Sequence, residues 1–238
     1  HWRPQDPDAF PESANWAKTA TWASPAELRS MKARADFEES ESLRLMKASA
    51  ERTRLKDSLE AARDEGRAWR SLLQETGDDL VDSVLASLEF LGFQVTNADE
   101  LPQHRGRKRE DLRVRDGDWV CLVEVKGYTG AAKSNDLMQL SSAHAAFAAS
   151  TGAEADSLWY VPNSFRRDDP HQREVALVGR EEDVASFGTD MSGCVIETRE
   201  LFALRQMVAT GQIAATEARA CLKRARGRFV AANVAKGS

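Results

Sequence analysis

The run Trp119-Val120-Cys121-Leu122-Val123-Glu124-Val125-Lys126, closed by Gly127, constrains this chain more than any other segment. It is dense in β-branched and aromatic residues and reads as a strand. Side chains alternate across a strand, so Glu124 and Lys126 share one face while Val123 and Val125 point the other way, into a core. A carboxylate and an ammonium set in an apolar strand are costly to bury without a partner or a task. Upstream, Asp111-Leu112-Arg113-Val114-Arg115 alternates as a second strand, and Asp116-Gly117-Asp118 has the composition of a hairpin turn. Pairing across that turn carries Asp111 towards the Glu124 end of the neighbouring strand, so that two carboxylates and a lysine converge.

The flanking periodicities place this hairpin in an α/β unit. Residues 78–91 carry Leu80, Val81, Val84, Leu88 and Leu91 on one helical stripe, with Gly92 as a stop and Phe93-Gln94-Val95-Thr96 as a short strand. Residues 134–150 read as a helix, Leu158–Val161 as a strand, 172–187 as a weak helix, Cys194–Ile196 as a strand, and about 200–209 and 214–225 as helices. Ahead of the unit, Ser24-Pro25 with Glu27 is a helix start. A nearly Gly- and Pro-free stretch then runs to residue 76 with a heptad seam at Leu45, Ala48, Leu55, Leu59, Ala62, Trp69 and Leu73. So polar a helix needs a partner, either a second copy through residues 45–73 or the body of its own chain. The expected organisation is a Pro/Trp-rich arm over 1–24, a long coiled-coil helix over 25–76, and an α/β domain over 77–238.

The chemistry that uses two carboxylates and a lysine is phosphodiester hydrolysis. Carboxylate oxygens suit Mg²⁺ or Mn²⁺ with several waters retained. The cation polarises the phosphate and acidifies water, and Lys126 orients that water or stabilises developing charge. Glu-x-Lys by itself is common on exposed strands. The order Asp111, hairpin, Glu124-x-Lys126, Gly127, between two helices, is more specific.

On these residues the chain resembles the PD-(D/E)xK superfamily, the restriction-endonuclease-like fold, from Gly77 to about Asn163. The resemblance implies an αβββαβ core, with Asp111 at the family's Asp position and Glu124 and Lys126 at its Glu-x-Lys positions. Gln139 falls where many relatives carry a Gln near the site. Leu72-Leu73, Thr76-Gly77, Leu80, Val84, Leu91-Gly92-Phe93, Asn163 and Arg173 resemble uncharacterised prokaryotic members with a coiled coil ahead of the domain. Those members usually carry Glu, an acid that helps bind a second metal, where this chain has Val81; Asp82 is the candidate substitute.

Nucleic acid, DNA in the first instance, is the partner this reading implies. Candidate contacts are Arg105, Arg107, Lys108 and Arg109 just before Asp111, together with Arg166 and Arg173 after the fourth strand; Lys223, Arg224, Arg226 and Arg228 read as a solvated helix end. The formal net charge of −5 excludes a global basic coat, so contacts with phosphate must be local. Three scattered cysteines without a CxxC pair exclude a zinc ribbon and fit a reducing cytoplasm. No stretch of about 18 apolar residues is present, so no membrane span is expected. The chain opens on His1, which reads as part of a longer protein. The expected function is a metal-dependent nuclease in prokaryotic defence or repair. The alternative is an inactive nuclease-fold protein that binds nucleic acid or serves as an adaptor assembled through its coiled coil.

Overall fold

A reciprocal capping box starts the first helix. The Glu27 amide donates to Ser24 Oγ at 3.3 Å and the Ser24 amide donates to Glu27 Oε2 at 2.7 Å, satisfying donors that a helix start otherwise leaves open. From there α1 (Pro25–Gln74) runs for 50 residues without a break in the computed structural model, which describes residues 16, 19–100 and 110–236. The chain divides into two units, 1–63 and 64–238. In the first, Leu28, Met31, Phe37, Leu45, Leu55 and Leu59 are exposed, and pairs such as Arg34–Glu38 at 2.7 Å and Lys56–Glu60 at 3.8 Å line the helix surface.

In the second unit the last turns of α1 are packed. Leu72 is fully buried. Trp69 meets Phe90 and Phe202 edge-on at 5.8 and 6.0 Å, with the Arg205 guanidinium 3.9 Å over its ring. The predicted seam is therefore split: Leu45, Leu55 and Leu59 are bare, whereas Trp69 is engaged within the second unit. The chain then leaves α1 at Glu75-Thr76 and enters α2 (Gly77–Phe90) through Gly77 at φ +60.

A six-stranded sheet follows in sequential order, β1 (Gln94–Asn97), β2 (Leu112–Asp116), β3 (Trp119–Gly127), β4 (Ser157–Asn163), β5 (Gly193–Val195) and β6 (Gly227–Arg228). The first three strands form an antiparallel meander, and β3 through β6 are parallel. The parallel steps are made through α3 (Asn135–Thr151), α4 (Glu181–Asp190), and the pair α5 (Thr198–Ala209) and α6 (Ala215–Arg224). A mixed α/β unit behind a long helix is what the periodicities predict. Two predictions fail locally. The helix expected from residue 172 begins only at Glu181, because 172–180 are turns. β6 was not foreseen, since two residues carry no period.

Both faces of the sheet are covered. Val114, Cys121, Val123, Val125, Trp159 and Val161 pack with α2, α5 and α6. Val120, Leu122, Leu158, Tyr160 and Val195 pack with Leu137, Leu140 and Phe147 of α3 and with Val184 and Phe187 of α4. Glu124 and Lys126 belong to the second face by strand alternation. Cys121 is unpaired and buried, as expected of an inert thiol. Among the described residues, no helix is long and apolar enough to cross a membrane.

Candidate active site

The register of the hairpin brings the three predicted residues together. Leu112 faces Val123 across β2 and β3. Asp111, one residue earlier, donates its amide to the Val123 carbonyl at 3.0 Å and accepts the Val125 amide on Oδ2 at 2.7 Å. Its carboxylate is thus fixed by main chain at the edge of the hairpin. Lys126 Nζ lies against Glu124 Oε1 and 3.7 Å from Asp111 Oδ2.

Burial grades the three. The Glu124 side chain is 3% exposed, Asp111 27% and Lys126 32%. Glu124 Oε2 is buried and, among the described residues, has no hydrogen-bond partner, a costly state for a carboxylate oxygen. Burial first, and the Asp111 charge second, push the Glu124 carboxyl up to about 7 against the opposing pull of Lys126. Burial works against the Lys126 ammonium, but its hydrogen bond to Glu124 and the charges of Asp111, Glu124 and Asp136 outweigh it and raise its pKa. Lys126 is therefore a cation at neutral pH, suited to donating rather than abstracting a proton.

A ring of groups that the sequence did not single out adjoins this trio. Tyr160 is the register partner of Glu124 on β4 and is fully buried. Its phenol donates to Asp136 Oδ2 at 3.2 Å and lies 3.0 Å from the Tyr128 phenol, which also donates to Asp136 Oδ2. Burial and this clustering hold both phenols well above their usual pKa, so they act as donors. Tyr128 was detectable in principle, because it follows Lys126 by two residues in the same alternation. Asp136 and Tyr160 arrive by packing across α3 and β4, which leaves no local trace.

Other predicted site residues are placed elsewhere. Gln139 is exposed on α3, and among the described residues no hydrogen bond joins it to the trio. The acid one turn earlier, Asp136, faces the site instead. Asp82 is exposed on α2, whose buried side packs against the Val123 and Val125 face of the sheet. Among the described residues no hydrogen bond or ion pair joins Asp82 to Asp111, Glu124 or Lys126.

Arg173 is 7% exposed and directs its guanidinium inward, to Leu73 O at 2.9 Å, Asp168 O at 3.1 Å, Arg166 O at 3.3 Å and Asn163 Oδ1 at 2.8 Å. Arg166 Nη1 donates to Gln74 O at 3.1 Å and Asn163 Nδ2 to Glu75 O at 3.0 Å. These side chains cap the C-terminal carbonyls of α1, so buried Arg173 is not a free phosphate contact, while half-exposed Arg166 commits Nη1 to the helix end. Arg105, Arg107, Lys108 and Arg109 lie outside the described residues. Lys223 pairs with Asp116 at 3.0 Å, and Arg226 caps the end of α6 through the carbonyls of Lys223 and Ala225.

Oxygen donors dominate the site. Among the described residues no group of three or more His, Cys, Asp or Glu side chains has the arrangement of a metal site. Asp111 and the open oxygen of Glu124 do fit a cation that takes one or two carboxylates and keeps most of its water, as Mg²⁺ does.

No family model matches the chain, and no curated protein matches it. Among solved structures, the restriction endonuclease FokI is similar over 66% of this chain with a TM-score of 0.44 and 12% identity. The same enzyme bound to DNA is similar over 68% of this chain with the same score and identity. The chain spans 30% of the length of either.

Proposed function

We propose that this chain is a metal-dependent phosphodiesterase of the PD-(D/E)xK type, acting on nucleic acid with DNA as the first substrate to test. The observation that carries the reading is Oε2 of buried Glu124, without a partner among the described residues and set beside Asp111 and Lys126 at the end of a hairpin. Asp111 and Glu124 would hold Mg²⁺ or Mn²⁺. Such a cation would polarise a phosphodiester and make water more acidic. Lys126 keeps its proton and directs it at the oxygen that gains charge as the P–O bond breaks. The main-chain hydrogen bonds on Asp111 fix the site before substrate arrives, which lowers the reorganisation that reaction demands. With Val81 in place of an acid, one cation rather than two is expected. The exposed seam from Leu45 to Leu59 supports pairing with a second copy, and a reducing cytoplasm suits the unpaired cysteines.

The test is incubation with end-labelled DNA and RNA, single- and double-stranded, in Mg²⁺ or Mn²⁺ and in a chelator. Cleavage should need the cation and vanish in Lys126→Ala. Cleavage that persists in Lys126→Ala, or no cleavage on any of the substrates, would overturn the reading.

A further inference from the structure

We propose that Asp136, clamped by the phenols of Tyr128 and Tyr160, is the third carboxylate of this site and a positioning residue for the cation, acting through its hydration shell rather than as a direct ligand. The inference rests on the reading of Asp111 and Glu124 as cation ligands. Three independent placements converge on it. Glu124 and Lys126 share a face at the end of β3, Tyr128 follows just past the strand with its amide on Asn163 O, and Tyr160 is the register neighbour of Glu124 on β4. α3 crosses that face, and Asp136 in its first turn meets both phenols, Tyr160 at 3.2 Å. The third placement is Glu124 Oε2 itself, 2% exposed as a residue and, among the described residues, without a hydrogen-bond partner, in the same corner.

Charge gives the corner its preference. Asp111, Glu124 and Asp136 all act on Lys126. Three carboxylates against one ammonium leave two negative charges, which one divalent cation neutralises. Asp136 Oδ2 already accepts from both phenols, which suits this carboxylate to a cation-bound water rather than to the cation itself. Hard cations such as Mg²⁺ and Mn²⁺ retain water, and outer partners that orient it are part of such sites. The tyrosines supply the rigidity. Both phenols converge on Asp136 Oδ2, so its other oxygen is presented in one orientation rather than many.

The test is calorimetric titration of Mn²⁺ into the full chain, with thermal unfolding recorded with and without Mn²⁺ and solvent-water proton relaxation used to count the waters on Mn²⁺. Asp136→Asn should bind Mn²⁺ roughly 10- to 100-fold more weakly with the same number of bound waters. Tyr128→Phe and Tyr160→Phe should shift affinity in the same direction by less. Wild-type affinity in Asp136→Asn, alongside lost affinity in Glu124→Gln, would overturn the role of Asp136 and leave the Asp111–Glu124 site standing. An additional water on Mn²⁺ in Asp136→Asn would make it a direct ligand and overturn the positioning role. If the wild-type chain does not bind Mn²⁺, both readings fall together. Should Asp136→Asn fail to fold, unchanged affinity in both tyrosine variants would overturn the proposal.

Discussion

Replacing Glu124 by Gln should stabilise the metal-free protein in alkali and leave it nearly unchanged in mild acid. Glu124 is 2% exposed, and its carboxyl is raised from 4.5 to about 7 in the fold. The folded chain thus holds this proton more tightly than the unfolded chain does. Stability from this group is complete below about pH 4.5, falls as pH rises, and is fully lost above about pH 7. At about 1.4 kcal/mol per pH unit, that interval corresponds to about 3 kcal/mol. Gln copies the protonated acid and never ionises, so the variant escapes the loss; Lys126, deprived of its partner, makes 3 kcal/mol an upper figure. Urea unfolding of both proteins in chelator, at about pH 4.5 and about pH 8, measures the difference directly. Mn²⁺ should reverse the order at pH 8, because it binds the ionised carboxylate. Below pH 7, Mn²⁺ affinity should fall about tenfold per pH unit as the proton competes. A stability difference that does not change with pH, or that grows towards acid, would refute the reasoning.

Three further perturbations are worked from the same contacts. In Gly127→Ala the new Cβ would lie 2.8 Å from Thr76 Cα and 2.5 Å from Thr76 Oγ1; main chain must shift, and calorimetry should show a loss of about 1–3 kcal/mol. Arg173→Ala leaves the Leu73 carbonyl and Asn163 Oδ1 without their arginine. Urea unfolding should report a loss of about 3 kcal/mol, while the DNA affinity of the folded variant stays unchanged; loss of DNA binding at wild-type stability would restore Arg173 as a phosphate contact. Leu55→Asp combined with Leu59→Asp should abolish self-association that light scattering detects at roughly tens of micromolar in the wild type, and a monomeric wild type would mean that the seam does not pair with itself.

Legibility in the sequence tracked the distance over which each signal acts. Asp111, Glu124 and Lys126 could be placed together because a strand period of two and a short hairpin are local rules. The long helix was equally plain, and its capping box sits where Ser24 and Glu27 put it. Asp136 carried no comparable mark: an acid in the first turn of a helix is ordinary, and only the packing of α3 across Tyr160 gives it a task. For Asp82, a helical stripe says which side of α2 is exposed but not how far that side lies from Asp111 and Glu124. Arg173 and Arg166 looked like phosphate contacts because a positive charge after a strand has that meaning when exposed. Their actual partners, Leu73 and Gln74, are about 100 residues upstream.

That separation sets an order of events during synthesis. α1 leaves the ribosome early, and most of its length can form by local hydrogen bonding. The carbonyls of Leu73 and Gln74 at its end, and of Glu75 just after it, receive side-chain donors from Asn163, Arg166 and Arg173 among the described residues. Until β4 and the turn after it have been made, the base of the helix remains open-ended and free to fray. Completion of the helix and docking of β4 beside β3 therefore belong to one cooperative step. Chains stopped before residue 173 should carry a helix with a loose base as well as an incomplete site.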